Sequence, residues 1–522
     1  MTAEIVATRP PVAELPRSGQ RLLRLGLGGA LTTLIGGALL RTLAGVPFLP
    51  VDESANVAYA MEVTHGHIPL AGRHRIQVDF PGQRLAAQHA SNHPPLYHAI
   101  VGPILRFSLY LHHPTAGIVA ARLVNLLFTI VTVLLAAWLA WSLTAGTRRP
   151  IDRRQRAMFA VGTAGLTGAL PHLVTASAIV ENDTLATALV LGAVVMLVRI
   201  VVLGRTTARI VGLTLFAATA SVTRVTSVPA VLIICAVLGL AGLFWPHQPD
   251  QPPLRRLRSA SWPPAVVLVM TAAVAGWFLV LNQRRYGDWS GGKAVASLVK
   301  SHEPGAQHGE VHYLLDRFSY LLQLQQIVGG PDSRHGAFPH STRPLALVLA
   351  GLLGFGLVML VIKVAARRVR IDARLALCVA FLVVLLCASM GEIAVHATGG
   401  GIPHGRYLLP AAGAFLTAGA ACLLAYPLRL GPLAIGAAIC LECWGTLKTF
   451  TVQLHRHYPT LSATDALRAG LHDMDIPDPT VALIILLAVM ALGVLLQFGA
   501  LFGINQVGRR PAADPVVADL TP

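Results

Sequence analysis

The chain has 522 residues, of which 54% are hydrophobic and only 12% charged, and its mean hydropathy is +0.63. That balance excludes an ordinary soluble domain. The net charge of +17 does not indicate a nucleic-acid partner, because the arginines lie in short stretches between apolar runs, where they set membrane topology.

Apolar runs long enough for a helix to cross a bilayer are predicted at 22–43, 117–143, 157–177, 183–203, 210–225, 227–245, 264–281, 345–365, 375–392, 408–426, 430–446 and 480–502. The fold expected is therefore an all-α polytopic membrane protein of about twelve transmembrane helices. Arginine-rich stretches such as TRRPIDRRQR (147–156), LRRLRS (254–259) and ARRVRIDAR (366–374) fall after every second run. By the positive-inside rule both termini are cytoplasmic, and the first run is expected to remain as an anchor rather than be cleaved. The six cysteines all sit in apolar runs, which argues against a disulfide framework.

Three outer segments are long: 47–116, 283–343 and 447–479. The first is expected to hold two juxtamembrane helices, one over 54–64 capped by Asp52 or Ser54, the other over 94–110 with a proline start. Segment 453–479 reads as a surface stretch with short helical character. Ionisable residues near hydrocarbon are functional suspects, and here they collect on the outer side. Asp52 and Glu53 follow run one, His93 lies in the first loop, and Glu181, Asn182 and Asp183 precede run four. Arg224 ends run five, while Glu392 and His396 end run nine and His404 and Arg406 precede run ten. A carboxylate at that depth suits a base towards a hydroxyl, and arginine suits phosphate, so a phosphorylated lipid substrate is implied.

The pair Asp52-Glu53 before a helix, NHPPLYHAI (92–100), ARLVNLL (121–127), VENDTLAT (180–187) and HGRYLLPA (404–411) together resemble the C-type (GT-C) membrane glycosyltransferases. The likeness is greatest to the protein O-mannosyltransferase and lipid A aminoarabinose transferase group and its bacterial relatives, and it covers about the first 410 residues. It implies transfer of a sugar, usually with inversion, from a polyprenyl-phosphate donor to a glycan, lipid or protein acceptor on the outer face of a bacterial cytoplasmic membrane. On this resemblance Asp52 matches the first-loop acid that acts as general base, with Glu53 its neighbour; helix capping is the structural alternative for both. His93 matches a substrate contact before the paired prolines. Asn182 and Asp183 match an "ND" pair, or alternatively an N-cap and a first-turn acid. Arg406, with Tyr407 in the RY-x-x-P motif, matches a phosphate ligand. Arg224 stands where several relatives carry lysine, so it serves either phosphate or as a snorkelling helix end.

The expected organisation is a tail (1–21), a catalytic membrane domain (22–410), C-terminal helices (411–503) and a second tail (504–522). No cofactor is required on this reading. Some members of the family use a divalent ion, and His65, His67, His74, His89, His93 and His98 crowd the first loop, but their spacing defines no ligand set. A lipid-linked sugar flippase or a secondary transporter is the alternative. A transporter would place its site near the bilayer midplane, whereas the acids here cluster at the outer surface and the two six-run halves share no matching motifs. A flippase would want polar groups along a path through the bilayer, and the inner halves of the runs are nearly bare.

Overall fold

A computed structural model describes residues 16–48, 51–72, 88–146, 153–244, 253–299, 343–366, 371–398, 405–427 and 430–507. The described residues are helical, without strands. In chain order the helices are α1 (Arg17–Ala44), α2 (Val51–Thr64), α3 (Leu96–Tyr110), α4 (Pro114–Leu143), α5 (Arg153–Ala169), α6 (Pro171–Ala176), α7 (Asp183–Leu203), α8 (Thr207–Ser221) and α9 (Ser227–Phe244). Then come α10 (Pro253–Tyr286), α11 (Gly292–Val299), α12 (Arg343–Ala365), α13 (Ala373–Thr398), a 3₁₀ turn (Gly405–Ala411), α14 (Ala412–Leu424), α15 (Leu430–His457), α16 (Ala463–Asp473) and α17 (Pro479–Val507).

Among the described residues nine helical stretches are long and apolar enough to cross a membrane, so the chain is a multi-pass membrane protein. Each of the twelve apolar runs contains helix; the runs at 157–177, 210–225 and 227–245 fall short of the nine for physical reasons. The first of these is cut at Leu170, whose backbone turns extended because Pro171 lacks an N–H and crowds the residue before it. The other two are the short helices α8 and α9, separated by an irregular turn at 222–226. Fifteen residues of α8 rise only about 22 Å, less than the hydrocarbon thickness. The second interruption brings polar backbone and side chains into the bundle, and Arg224, Val225 and Thr226 help build the site below.

Glycines explain the tightest helix pair. A Cβ on Gly29 of α1 would lie 2.8 Å from the Gln497 backbone N of α17, and one on Gly493 would lie 2.3 Å from the Thr33 N of α1. The two backbones therefore touch, with Gln497 Nε2 donating to Thr33 Oγ1 at 2.8 Å across the seam. Elsewhere the core is Ala, Val and Leu packing, the largest cluster joining α4, α7, α8, α9 and α13.

The juxtamembrane helices gather at one end of the bundle. Helix α3 begins after Pro95 and packs with α2 and α4 through Tyr97, Val101, Leu105, Val57 and Ile118. Helix α16 lies in the 453–479 segment against α1, α15 and α17 through Leu467, Leu471, Leu40 and Phe450. Helix α2 starts at Val51, earlier than the capping pattern indicates, so Asp52 and Glu53 belong to its first turn and Ser54 does not cap it. Two acids there are favoured by the positive end of the helix dipole.

Candidate active site

Glu53 and Arg122 set the frame. Arg122, on α4, donates from Nε to Glu53 Oε1 (2.8 Å) and from Nη2 to Oε2 (2.7 Å), and both side chains are essentially unexposed. The Phe48 N–H (2.9 Å) and the Val180 N–H (3.0 Å) complete the Glu53 carboxylate. Arg122 Nη1 in turn reaches the carbonyls of Thr42 (3.0 Å) and Gly45 (2.8 Å). One turn along α4, Asn125 Nδ2 donates to the carbonyls of Ile179 and Glu181. Thus the ARLVNLL stretch pins the end of α1, the start of α2 and the 177–182 turn to one another. Glu53, expected beside Asp52 in the site, faces away from it and is spent on this anchor. Arg122 and Asn125 were not assigned from sequence; the signal was an arginine and an asparagine three apart on an otherwise apolar helix.

Asp52 points the other way, into a cavity of about 570 Å³. The same cavity is lined by His93, Asn182, Asp183, Arg224, Arg406 and Tyr407, which the sequence singled out, and by Asn56, His89, Glu181, Lys293 and Glu392. Its walls come from α2, the loop before α3, the 177–182 turn, the 222–226 turn, α11, α13 and the 3₁₀ turn that opens the 405–424 span.

Asp52 Oδ1 accepts from His89 Nε2 at 2.7 Å, and Oδ2 pairs with Arg406 Nη1. Burial works to raise the Asp52 pKa, but Arg406 and His89 outweigh it and hold the carboxyl well below its usual range. Its capping alternative is not realised, since the side chain makes these contacts instead. Arg406 also lies 3.6 Å from Glu181 Oε2. Asp183 pairs with Arg224, and both are buried, so Arg224 is not a snorkelling end. Asn182 is the residue before α7 but forms no side-chain cap; its Nδ2 donates to the Thr223 carbonyl at 3.4 Å, tying one turn to the other. The two guanidinium carbons sit 5.4 Å (Arg406) and 5.7 Å (Arg224) from the Tyr407 ring centroid. The Nε of each has no partner among the described residues.

His93 is held by its backbone, whose carbonyl accepts from Tyr59 Oη at 2.8 Å. Burial, then the nearby arginines, push its pKa well below 6.5, so the ring is neutral at pH 7. Its Nδ1 is buried with no partner among the described residues, a polar atom placed for a ligand.

Glu181 is raised to about 7, first by burial and then by the Asp52 charge, with Arg406 opposing. A carboxyl raised on folding contributes stability below its ordinary value of 4.5 that is lost as pH rises to about 7. Thermal melts of the purified protein are expected to show this decline over that window, and Glu181→Gln is expected to flatten it.

The described first-loop histidines make separate contacts. His65 Nδ1 is 3.0 Å from the Met61 carbonyl, and His67 lies 3.7 Å from Glu62. His98 Nε2 is 2.9 Å from Asn56 Oδ1, and its ring stacks on Tyr59. His74 falls outside the described residues, as does His404. Among the described residues no three His, Cys, Asp or Glu side chains converge to hold an ion.

The arrangement offers a carboxylate base in a half-enclosed cavity, two guanidinium groups flanking one aromatic ring, and a neutral histidine. Such a set can bind an anion and accept a proton within one cavity.

No protein-family model matches the chain, and no curated protein matches it. Among solved structures it is similar to ArnT from Cupriavidus metallidurans bound to undecaprenyl phosphate, at 15% identity and a TM-score of 0.44, over 95% of this chain and 79% of that one. It is also similar to the oligosaccharyltransferase of Archaeoglobus fulgidus in the apo form, at 11% identity and TM-score 0.40, over 85% of this chain. The third is the A. fulgidus oligosaccharyltransferase AglB in complex with an inhibitory peptide and a dolichol-phosphate, at 12% identity and TM-score 0.39, over 90% of this chain. The chain spans 56% of the length of each archaeal enzyme. These structural neighbours are GT-C glycosyltransferases.

Proposed function

We propose that the chain is a membrane glycosyltransferase that moves a sugar from a polyprenyl-phosphate donor to an acceptor on the outer face of a bacterial cytoplasmic membrane. The observation that carries this reading is the convergence of Asp52, Arg406 and Arg224 on one cavity at the end of the bundle where the juxtamembrane helices lie. A sugar phosphate and an acceptor group fit within about 570 Å³, a size ordinary for a small-molecule site. Residues 22–410 supply nearly all of its wall, and 411–503 serve as scaffold and as a groove for the lipid chain.

In the proposed reaction Asp52 takes the acceptor hydroxyl proton while the acceptor oxygen attacks the anomeric carbon from the face opposite the phosphate, which inverts that centre. The bond from that carbon to the phosphate oxygen breaks, and its electron pair stays on the phosphate. Arg406 holds that phosphate through its planar donors. Lys293 makes no ion pair among the described residues and adds a free positive charge to the cavity wall. Arg224 and Asp183 neutralise each other and shape the floor, while His93 and Asn182 orient the sugar or acceptor. The cavity's acids and arginines converge at one end of the bundle, as an enzyme site requires and a flippase path does not.

The test is transfer of label from a panel of polyprenyl-phosphate sugars to cell-envelope acceptors by the purified protein. Transfer by the wild type is the expected result. Failure to bind or use any donor, together with passage of labelled lipid-linked sugar across proteoliposomes, would replace the enzyme with a flippase.

A further inference from the structure

Two residues given separate tasks, Asp52 as base and Arg406 as phosphate ligand, are bound to each other. With His89 on Oδ1 and Arg406 on Oδ2, both Asp52 oxygens are engaged. In this state the Arg406 cation sits against Oδ2 and lowers the affinity of that oxygen for an acceptor proton. Arg406, for its part, spends Nη1 on Asp52 and Glu181 and leaves a buried Nε without a partner among the described residues. The other guanidinium, Arg224, has a side chain only 5% exposed and faces Asp183, whereas that of Arg406 is 21% exposed. Arg406 is therefore the guanidinium that an entering phosphate reaches.

We propose that Arg406 is handed from Asp52 to the donor phosphate, so that the base is released only when the donor is seated. The inference rests on the glycosyltransferase reading above. A phosphate entering the cavity meets one accessible guanidinium already shared by two carboxylates, and it offers what Asp52 cannot: two oxygens in register with the Arg406 fork. Turning that fork to the phosphate frees Asp52 Oδ2, whose proton affinity rises once the neighbouring cation has gone. The acceptor hydroxyl then hydrogen-bonds Oδ2. Its oxygen forms the new bond to the anomeric carbon, the proton moves to Oδ2, and the leaving phosphate keeps the electron pair beside Arg406. After polyprenyl phosphate departs, Asp52 loses the proton to water and recovers Arg406. Glu181, 3.6 Å from the guanidinium, gives it a second carboxylate to pivot about. Binding is then ordered, donor before acceptor, and an empty enzyme does not activate water.

The experiment is carbodiimide labelling of carboxyl groups, read at Asp52 by peptide mass spectrometry, on the full chain in nanodiscs with and without undecaprenyl phosphate. Binding of the lipid is measured on the same sample. The expected result is that the lipid raises the Asp52 labelling rate several-fold, and that Arg406→Gln labels at the raised rate without lipid and gains nothing from it. Should that variant not fold, the wild-type comparison alone decides. Bound lipid that slows Asp52 labelling, or leaves it unchanged, overturns the exchange while sparing the phosphate site. No lipid binding at all overturns both the exchange and the lipid-phosphate reading beneath it.

Discussion

Asp52→Asn is expected to lower sugar transfer by about 10²–10⁴-fold, the usual contribution of a general base, while the protein stays folded. The change removes the proton acceptor at nearly constant shape. The amide oxygen can still accept from His89, which lies 2.7 Å from Oδ1, so the wall of the cavity is preserved. What disappears is the charge opposite Arg406, and that guanidinium becomes available to phosphate throughout. The loss should therefore fall on kcat, with KM for the donor unchanged or lower. Transfer rates measured beside a thermal melt separate this outcome from unfolding. Full activity in a folded Asp52→Asn protein would move the base elsewhere, and Glu181, the other carboxyl within reach of Arg406, would be the next candidate.

The site was partly legible in the sequence because a charge inside or beside an apolar run has few structural excuses. That rule found Asp52, Asp183, Arg224 and Arg406, which the fold brings to one cavity from positions more than 350 residues apart in the extreme case of Asp52 and Arg406. It could not separate Asp52 from Glu53. Adjacent residues on a helix point about 100° apart, and only the fold reveals which of the two meets the cavity and which meets Arg122. Motif likeness had the same blind spot at ARLVNLL, where a matching stretch carried no role until Arg122 was seen holding Glu53 and Asn125 holding the 177–182 turn. In sequence His89 is only one of six loop histidines without a ligand set, and Lys293 sits on a short helix in a long polar outer segment, where a single lysine is no signal. The run bounds did not show the breaks at Pro171 and at the 222–226 turn, where helices end inside the bundle. A hydropathy window averages across such breaks, although the proline itself was visible.

Loss of the Glu53 carboxylate should cost a large share of the protein's stability. Glu53→Ala leaves Arg122 buried without its anion, and breaking a buried pair in this way costs about 3–5 kcal/mol. It also strips the Phe48 and Val180 N–H groups of their acceptor. Replacing both partners, as in Glu53→Leu with Arg122→Met, removes the uncompensated charge and should recover much of the loss, because similar apolar volume is then packed where two ions were. Recovery should be incomplete, since the two backbone N–H groups remain unpaired. Activity should not return with stability. The 177–182 turn carries Glu181 and leads into Asn182 and Asp183, and the Val180 N–H bond to Glu53 is one of the ties that fix its position. Thermal midpoints and transfer rates for the two single variants and the double variant decide the matter. A double variant that regains stability yet stays impaired in transfer assigns the Glu53–Arg122 pair to positioning. One that regains both would reduce the pair to a fold element that apolar packing can replace.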